Sequence, residues 1–144
     1  YGTTGDTEVW IVLRADPTPA TGGMIFCTIG ATNQVLLDYN SSNVSRWCFP
    51  HGTEAASFSG LIDNAWHVLR FTKTGGHRSI QIDGATIHDS TSSAGTYTTG
   101  PDAFILGCVD FEPGLMGGVR HWMSFTSPLD DATAASLNTY LQSA

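Results

Sequence analysis

Asp63-Asn64-Ala65-Trp66-His67-Val68-Leu69-Arg70, followed beyond a polar turn by Ile80-Gln81-Ile82-Asp83-Gly84, is the stretch on which the fold turns. Ala65 to Lys73 reads as a strand and Thr74-Gly75-Gly76 as a turn. Arg78 to Ile82 alternates, with Ile80 and Ile82 opposite Ser79 and Gln81. Asp83-Gly84 is a tight-hairpin dipeptide, because Asp and Gly tolerate the positive φ that such turns require. The centre of the chain is therefore an antiparallel meander.

The same rhythm extends to both sides. A short β-rich run followed by a turn signal recurs about every eight to twelve residues, the spacing of a sandwich or barrel. Thr7 to Arg14 places Val9, Ile11 and Leu13 on one face and Trp10, Val12 and Arg14 on the other. Met24 to Ile29, Gln34 to Tyr39 and Val44 to Phe49 follow, separated by Gly- and Asn-rich turns. Ser90 to Pro101 is a polar loop, and Ala103 to Val109 and Gly117 to Phe125 close the sheets. Only the tail departs from this pattern. Ala134, Leu137, Tyr140 and Leu141 share a helical face within Ala132 to Leu141, which Asp130 or Asp131 would cap. The expected fold class is all-β: a two-sheet antiparallel sandwich with a short C-terminal helix, in one domain over residues 1–144.

Composition narrows the function classes. A chain of 144 residues can bury a sizeable core without disulfide or metal staples. Charged residues make up 13% of it, about half the usual ~25%, so hydroxyls and amides carry much of the polar surface. Six Lys and Arg against thirteen Asp and Glu give a net charge of −7, which disfavours binding to a phosphate backbone. Nucleic acid is not an expected partner. No apolar run reaches the ~18–20 residues of a membrane span. Tyr1 in place of an initiator Met reads as the start of a processed product or of a module in a longer polypeptide.

Several stretches together resemble the laminin-G-like domain, the concanavalin A-like jelly roll of lectins and adhesion modules. Asp63 to Arg70 resembles that family's D-G-x-W-H-x-V strand, with Asn64 in place of the common Gly, and Ile80 to Gly84 its L-x-V-D-G hairpin. Ile105-Leu106-Gly107, Leu115 to Arg120 and the closing Pro128-Leu129 to Tyr140-Leu141 resemble three further motifs in the family's order. The resemblance implies a jelly roll covering most of the chain. It transfers architecture rather than activity, since such sandwiches host lectins, glycosidases, adhesion modules and spacers alike.

Catalysis is not expected. Glycoside hydrolysis needs two carboxylates about 5–9 Å apart, and jelly-roll glycosidases commonly carry them in an E-x-D-x-x-E strand. Glu8, Glu54 and Glu112 are the only glutamates, and none has that setting. No nucleophile elbow, phosphate loop or zinc-binding helix motif occurs either. His67, within the Trp-His motif, is expected to be structural, and His121 to be a core histidine. Cys27, Cys48 and Cys108 lack any zinc or redox spacing and read as buried free thiols, with one disulfide plus a free Cys as the alternative.

Two candidate binding surfaces follow from topology. Each strand reversal sends the next loop to the opposite rim, which gathers residues 15–22, 40–43, 61–64, 83–84 and 110–115 together. That rim is rich in Asp and Asn and poor in bases. Its oxygen ligands suit a hard cation such as calcium, with Asp63, Asp110 and Glu112 as metal candidates, or else form a solvated edge. The second surface is aromatic. Trp10 and Trp122 lie opposite the more apolar stripes of the first and last strands, so with Arg14 and Arg120 they could share an exposed sheet face on which a sugar stacks. Core or inter-domain packing is the alternative. Asn40-Ser41-Ser42 and Asn43-Val44-Ser45 are glycosylation sequons that matter only in a secreted eukaryotic protein.

The expectation is a non-catalytic recognition or adhesion module, directed at a glycan or at a cell-surface or viral protein. It would be displayed on an extracellular, cell-surface or virion-surface protein beside covalent neighbour domains or assembly subunits. The alternative is a structural decoration, fibre or spacer domain.

Overall fold

The computed structural model describes residues 6–15, 23–29, 36–39, 45–48, 55–74, 77–91, 103–106 and 117–144. In chain order these form β1 (Thr7–Ala15), β2 (Gly23–Ile29), β3 (Leu36–Tyr39), β4 (Ser45–Cys48), β5 (Ala55–Phe58), β6 (Trp66–Thr74), β7 (His77–Ile82), β8 (Ala85–Ser90), β9 (Ala103–Leu106), β10 (Gly117–Phe125) and α1 (Asp131–Ser143). One sheet runs β10-β1-β6-β7-β8 and the other β5-β4-β3-β2-β9. The pairings are antiparallel, and neither sheet closes into a barrel. The chain is a two-sheet antiparallel β-sandwich with a C-terminal helix, as expected.

β1 organises the first sheet because both of its faces are apolar. Val9, Ile11, Leu13 and Ala15 join Leu69 and Phe71 of β6, Ile80 and Ile82 of β7, and Leu61 and Ile62 ahead of β6 in the core cluster. Burying each large side chain of this kind contributes roughly 1.5–3 kcal/mol. Trp10 and Val12 point the other way, where with Val68 they pack under Ala134 and Leu141 of α1. The outer face of β1 is thus covered by the chain's own helix.

α1 starts one residue before the expected Ala132 and ends two after Leu141, and the first of the two candidate caps is the one used. Asp130 is the N-cap, extended at φ −63 and ψ 158, and accepts hydrogen bonds from the Thr133 N–H at 2.9 Å and the Thr133 hydroxyl at 2.7 Å. Leu137 and Leu141 face the sheet, but Tyr140 does not: it is 62% exposed, one residue's rotation away from the buried stripe.

Two strands exceed the sequence reading. Ala55-Ala56-Ser57-Phe58 is weak in β-formers, and β5 exists through its register with β4. β8 is the return arm that the Asp83-Gly84 turn delivers to β7. That turn has φ of 52 at Asp83 and 85 at Gly84, the left-handed pair of a tight hairpin, and Asn64 at φ 67 shows why Asn can replace Gly there.

In β10 the register shifts between Val12 and Leu13. Val12 pairs with His121 and Leu13 with Val119, so Arg120 is the extra residue of a β-bulge. A bulge reverses the in-out alternation. Val119 and Trp122 therefore both pack on the sandwich core, while Met123 and Phe125 pack on the helix side. His121 is half-buried opposite Val12, apart from Val119.

Cys27 and Cys48 both pair with Leu36, one from each side. Their backbones are two inter-strand spacings apart, about 10 Å, beyond disulfide reach. Cys108 and both sequon asparagines lie outside the described residues.

Candidate functional site

The Trp-His strand and the Asp-Gly hairpin are locked together at one rim. The Asp83 N–H donates to the Val68 carbonyl at 2.8 Å, and the Val68 N–H returns a bond to Asp83 Oδ1 at 2.9 Å. His67 bridges two carboxylates, with Nδ1 2.8 Å from Asp83 Oδ2 and Nε2 2.9 Å from Asp63 Oδ1. Burial pushes the His67 pKa down, but the hydrogen bonds and charges of Asp83 and Asp63 outweigh it and hold the pKa above the ordinary histidine value. The Ala65 N–H, followed by His67, lowers the pKa of Asp63. Both ring nitrogens are occupied, so His67 fastens β6 to the hairpin and has no free nitrogen for proton transfer to a ligand.

Asp63, one of the three calcium candidates, lies at this corner. Loops 61–64 and 83–84 do share a rim. Asp63 Oδ1 accepts from the Ala65 N–H and lies 2.9 Å from His67 Nε2. Asp110 and Glu112 lie outside the described residues, among which no cluster of three or more His, Cys, Asp or Glu is placed to hold a metal ion.

The aromatic platform is overturned. Trp10 is 1% exposed beneath α1, and Trp122 faces the sandwich core, so the two indoles lie on opposite faces of the sheet. The physical reason is twofold: the helix covers Trp10, and the Arg120 bulge turns Trp122 inward. The two arginines instead converge on a third indole. The Arg120 guanidinium lies 4.1 Å and that of Arg14 5.5 Å from the Trp66 ring centre. Arg120 also donates to the Ala144 carbonyl at 2.9 Å, which ties β10 to the end of α1.

A different concavity lies on the outer face, between α1 and the β6–β7 hairpin, with a volume of about 330 Å³. Its sheet side is formed by Arg70 and Gln81, which stand directly opposite each other in the β6–β7 register, and by Gly84 in the turn. Its helix side is formed by Asp131, Ala134, Ala135, Asn138 and Thr139. The floor is rigid. Arg70 Nη2 donates to Glu8 Oε2 at 2.9 Å, its guanidinium lies 5.3 Å from the Trp10 ring centre, and the Trp10 indole N–H donates to the same carboxylate. Glu8 is fully buried and also accepts the Leu129 N–H at 3.1 Å, which anchors the segment leading into α1.

The rim of this cleft holds hydrogen-bonding groups with capacity to spare. Arg70 Nη1 reaches Gln81 Oε1 at 3.5 Å, and Gln81 Nε2 reaches Thr86 Oγ1 at 3.4 Å, both at the weak end of the range. The Asp131 carboxylate and the Asn138 carboxamide have no hydrogen-bond partner among the described residues. Donors, acceptors and two alanine methyls therefore converge on one small volume. Sequence reasoning missed these residues. The legible signal was the helical spacing of Asp131, Ala134, Ala135 and Asn138, a polar and small-residue face beside the apolar stripe.

Glu8, the glutamate that the structure describes, is sealed from solvent and ion-paired, so it is in no position to protonate a glycosidic oxygen. Helices long and apolar enough to cross a membrane are absent among the described residues.

No family model and no curated protein matches the chain. Solved structures do. The binding domain of botulinum neurotoxin DC, in complex with SialylT, superposes with a TM-score of 0.77 at 16% identity, over 96% of this chain and 36% of that one. The fold is that of the laminin-G-like jelly roll. Domains LG4-5 of the mouse laminin alpha1 chain match at TM-score 0.67 and 14% identity, over 90% of this chain and 38% of that one. A Trypanosoma rangeli sialidase matches at 0.73 and 13%, over 94% and 23%. The chain thus spans 36–38% of the neurotoxin and laminin chains, and identities this low establish the fold alone.

Proposed function

We propose that this chain is a non-catalytic carbohydrate-recognition module, whose ligand seats in the cleft between α1 and the β6–β7 hairpin. It would act as one domain of a larger protein displayed on an extracellular, cell or virion surface. The observation that carries the proposal is the convergence of Arg70 Nη1, Gln81, Asp131 and Asn138, fixed by secondary structure and weakly engaged or unpartnered among the described residues. Planar guanidinium, carboxamide and carboxylate groups read pairs of sugar hydroxyls, and a concave volume of about 330 Å³ lies within the range of small-ligand sites. Structures of the same fold, one in complex with SialylT and one of a botulinum neurotoxin whose cell entry depends on two ganglioside molecules, support carbohydrate recognition as a use of this fold, at sites of their own.

A glycan array probed with the full chain tests the proposal. Binding to at least one glycan is expected, reduced tenfold or more by Asn138→Ala or Gln81→Ala with Tm unchanged. A chain that binds no glycan on the array defeats it. Calcium at Asp63, Asp110 and Glu112 is a separate proposal, read by calorimetric titration of calcium into the chelator-treated chain; the absence of a binding isotherm removes it.

A further inference from the structure

The charge balance of the cleft goes beyond this reading to the class of ligand. We infer that the cleft takes a neutral, polyhydroxylated sugar ring and turns away glycans that present a carboxylate to it. The inference rests on the chain being a carbohydrate-recognition module.

Arg70 is the one cation in the described lining, and it is already neutralised. Its Nη2 is bound to the Glu8 carboxylate, which has no solvent exposure and so cannot release it at low cost. What remains without a hydrogen-bond partner among the described residues is the carboxylate of Asp131, exposed in the first turn of α1. A ligand carboxylate entering here meets a like charge, whose repulsion acts at close range.

Hydrogen-bond chemistry points the same way. Ionised Asp131 only accepts, so it needs donors from the ligand. Gln81 and Asn138 each donate and accept, and Arg70 Nη1 donates. Hydroxyl groups, which do both, complement the whole set; a carboxylate, which only accepts, leaves Asp131 without a partner. The small residues Ala134, Ala135 and Gly84 also line the cleft. The aromatic side chain of this corner, Trp10, lies beneath Arg70 rather than at the opening.

The test uses matched pairs differing by one acidic sugar, such as lactose against 3′-sialyllactose, on an array that also carries neutral gluco- and manno-oligosaccharides. Affinities of the hits are then measured by calorimetry on the full chain. Neutral glycans are expected to bind at least tenfold more tightly than their sialylated counterparts. Asp131→Asn should narrow that gap, Asn138→Ala should weaken neutral binding tenfold or more with Tm unchanged, and Tyr140→Ser, outside the cleft, should leave affinity as it was. Sialylated glycans bound equally or more tightly, with binding lost in Asn138→Ala, would overturn the ligand class while leaving the recognition reading intact. Neutral binding indifferent to both cleft variants would overturn the site. Silence across the whole array would overturn the recognition reading itself, and this inference with it.

Discussion

Nη2 of Arg70 donates to Oε2 of Glu8 at 2.9 Å, on the face of the sheet that α1 covers. The pair joins three distant parts of the chain, because Glu8 also receives the Trp10 indole N–H and the Leu129 N–H. Removing one partner of such a pair strands the other, at a cost of about 3–5 kcal/mol. Glu8→Leu and Arg70→Met should each destabilise the chain by about that much in urea unfolding. The double variant Glu8→Leu with Arg70→Met should lose less than the sum of the two, since neither charge is then stranded. Additive losses would show that the two charges act separately.

The His67 bracket makes stability depend on pH with a definite sign. The folded pKa of His67 is raised, so its contribution is complete below the unfolded value of 6.5 and is lost as pH rises through the folded value. The folded pKa of Asp63 is lowered, so its contribution is complete above 3.8 and is lost as pH falls through the folded value. The corner is therefore at full strength between those two values. Unfolding free energies measured across pH 3 to 9 should show wild type losing its advantage over His67→Gln on the alkaline side. A difference that is flat with pH would refute this.

Gly117 stands at φ 152, and a Cβ built there would lie 1.9 Å from the Arg14 carbonyl oxygen. The backbones of β1 and β10 meet too closely at this point for any side chain. Gly117→Ala should cost at least about 2 kcal/mol through strain and a displaced β10 end. Gly60, which has open space around its Cβ position, offers a comparison at a similarly left-handed backbone, φ 92, without the collision. Equal losses at the two positions would show that φ alone, and not contact, sets the cost.

Leu141 is 3% exposed and closes the cluster over Trp10. Leu141→Ala should cost about 2–4 kcal/mol and loosen the helix from the sheet. Increased quenching of tryptophan fluorescence by acrylamide should accompany the loss. A destabilised variant with unchanged quenching would place the damage elsewhere than the helix–sheet contact.

Cys27 and Cys48 flank Leu36 on neighbouring strands. Peptide mapping without reduction should find no Cys27–Cys48 crosslink, because the two backbones are about 10 Å apart, too far for that bond. Detection of that crosslink in folded protein would contradict the register of β2, β3 and β4.

Much of this architecture is legible in one dimension because it is local. Alternation in Thr7 to Arg14 and Arg78 to Ile82 marks the two faces, Asp83-Gly84 marks a hairpin through its backbone conformation, and the Asp130-Asp131 pair marks the start of the helix, with Asp130 making the capping bonds. The motif around Trp66 and His67 was readable as structural, and the carboxylates on both ring nitrogens show why. Trp122 was misplaced by the same rule that succeeded elsewhere. Period-two alternation holds only while pairing stays in step, and the extra Arg120 in β10 breaks step without any Gly or Pro to announce it.

The sequence by itself determined strands, turns, helix and sandwich, since those follow from side-chain period and backbone preference over a few residues. Only the tertiary structure decided that Trp10 is covered, that Arg14 and Arg120 meet at Trp66, and that Arg70, Gln81, Asp131 and Asn138 line one cleft. Those relationships depend on where α1 lands on the sheet, and its landing is set by contacts between residues more than a hundred positions apart, such as Glu8 with Leu129. No local pattern encodes a contact of that span, because its energy appears only once both ends have been folded into place.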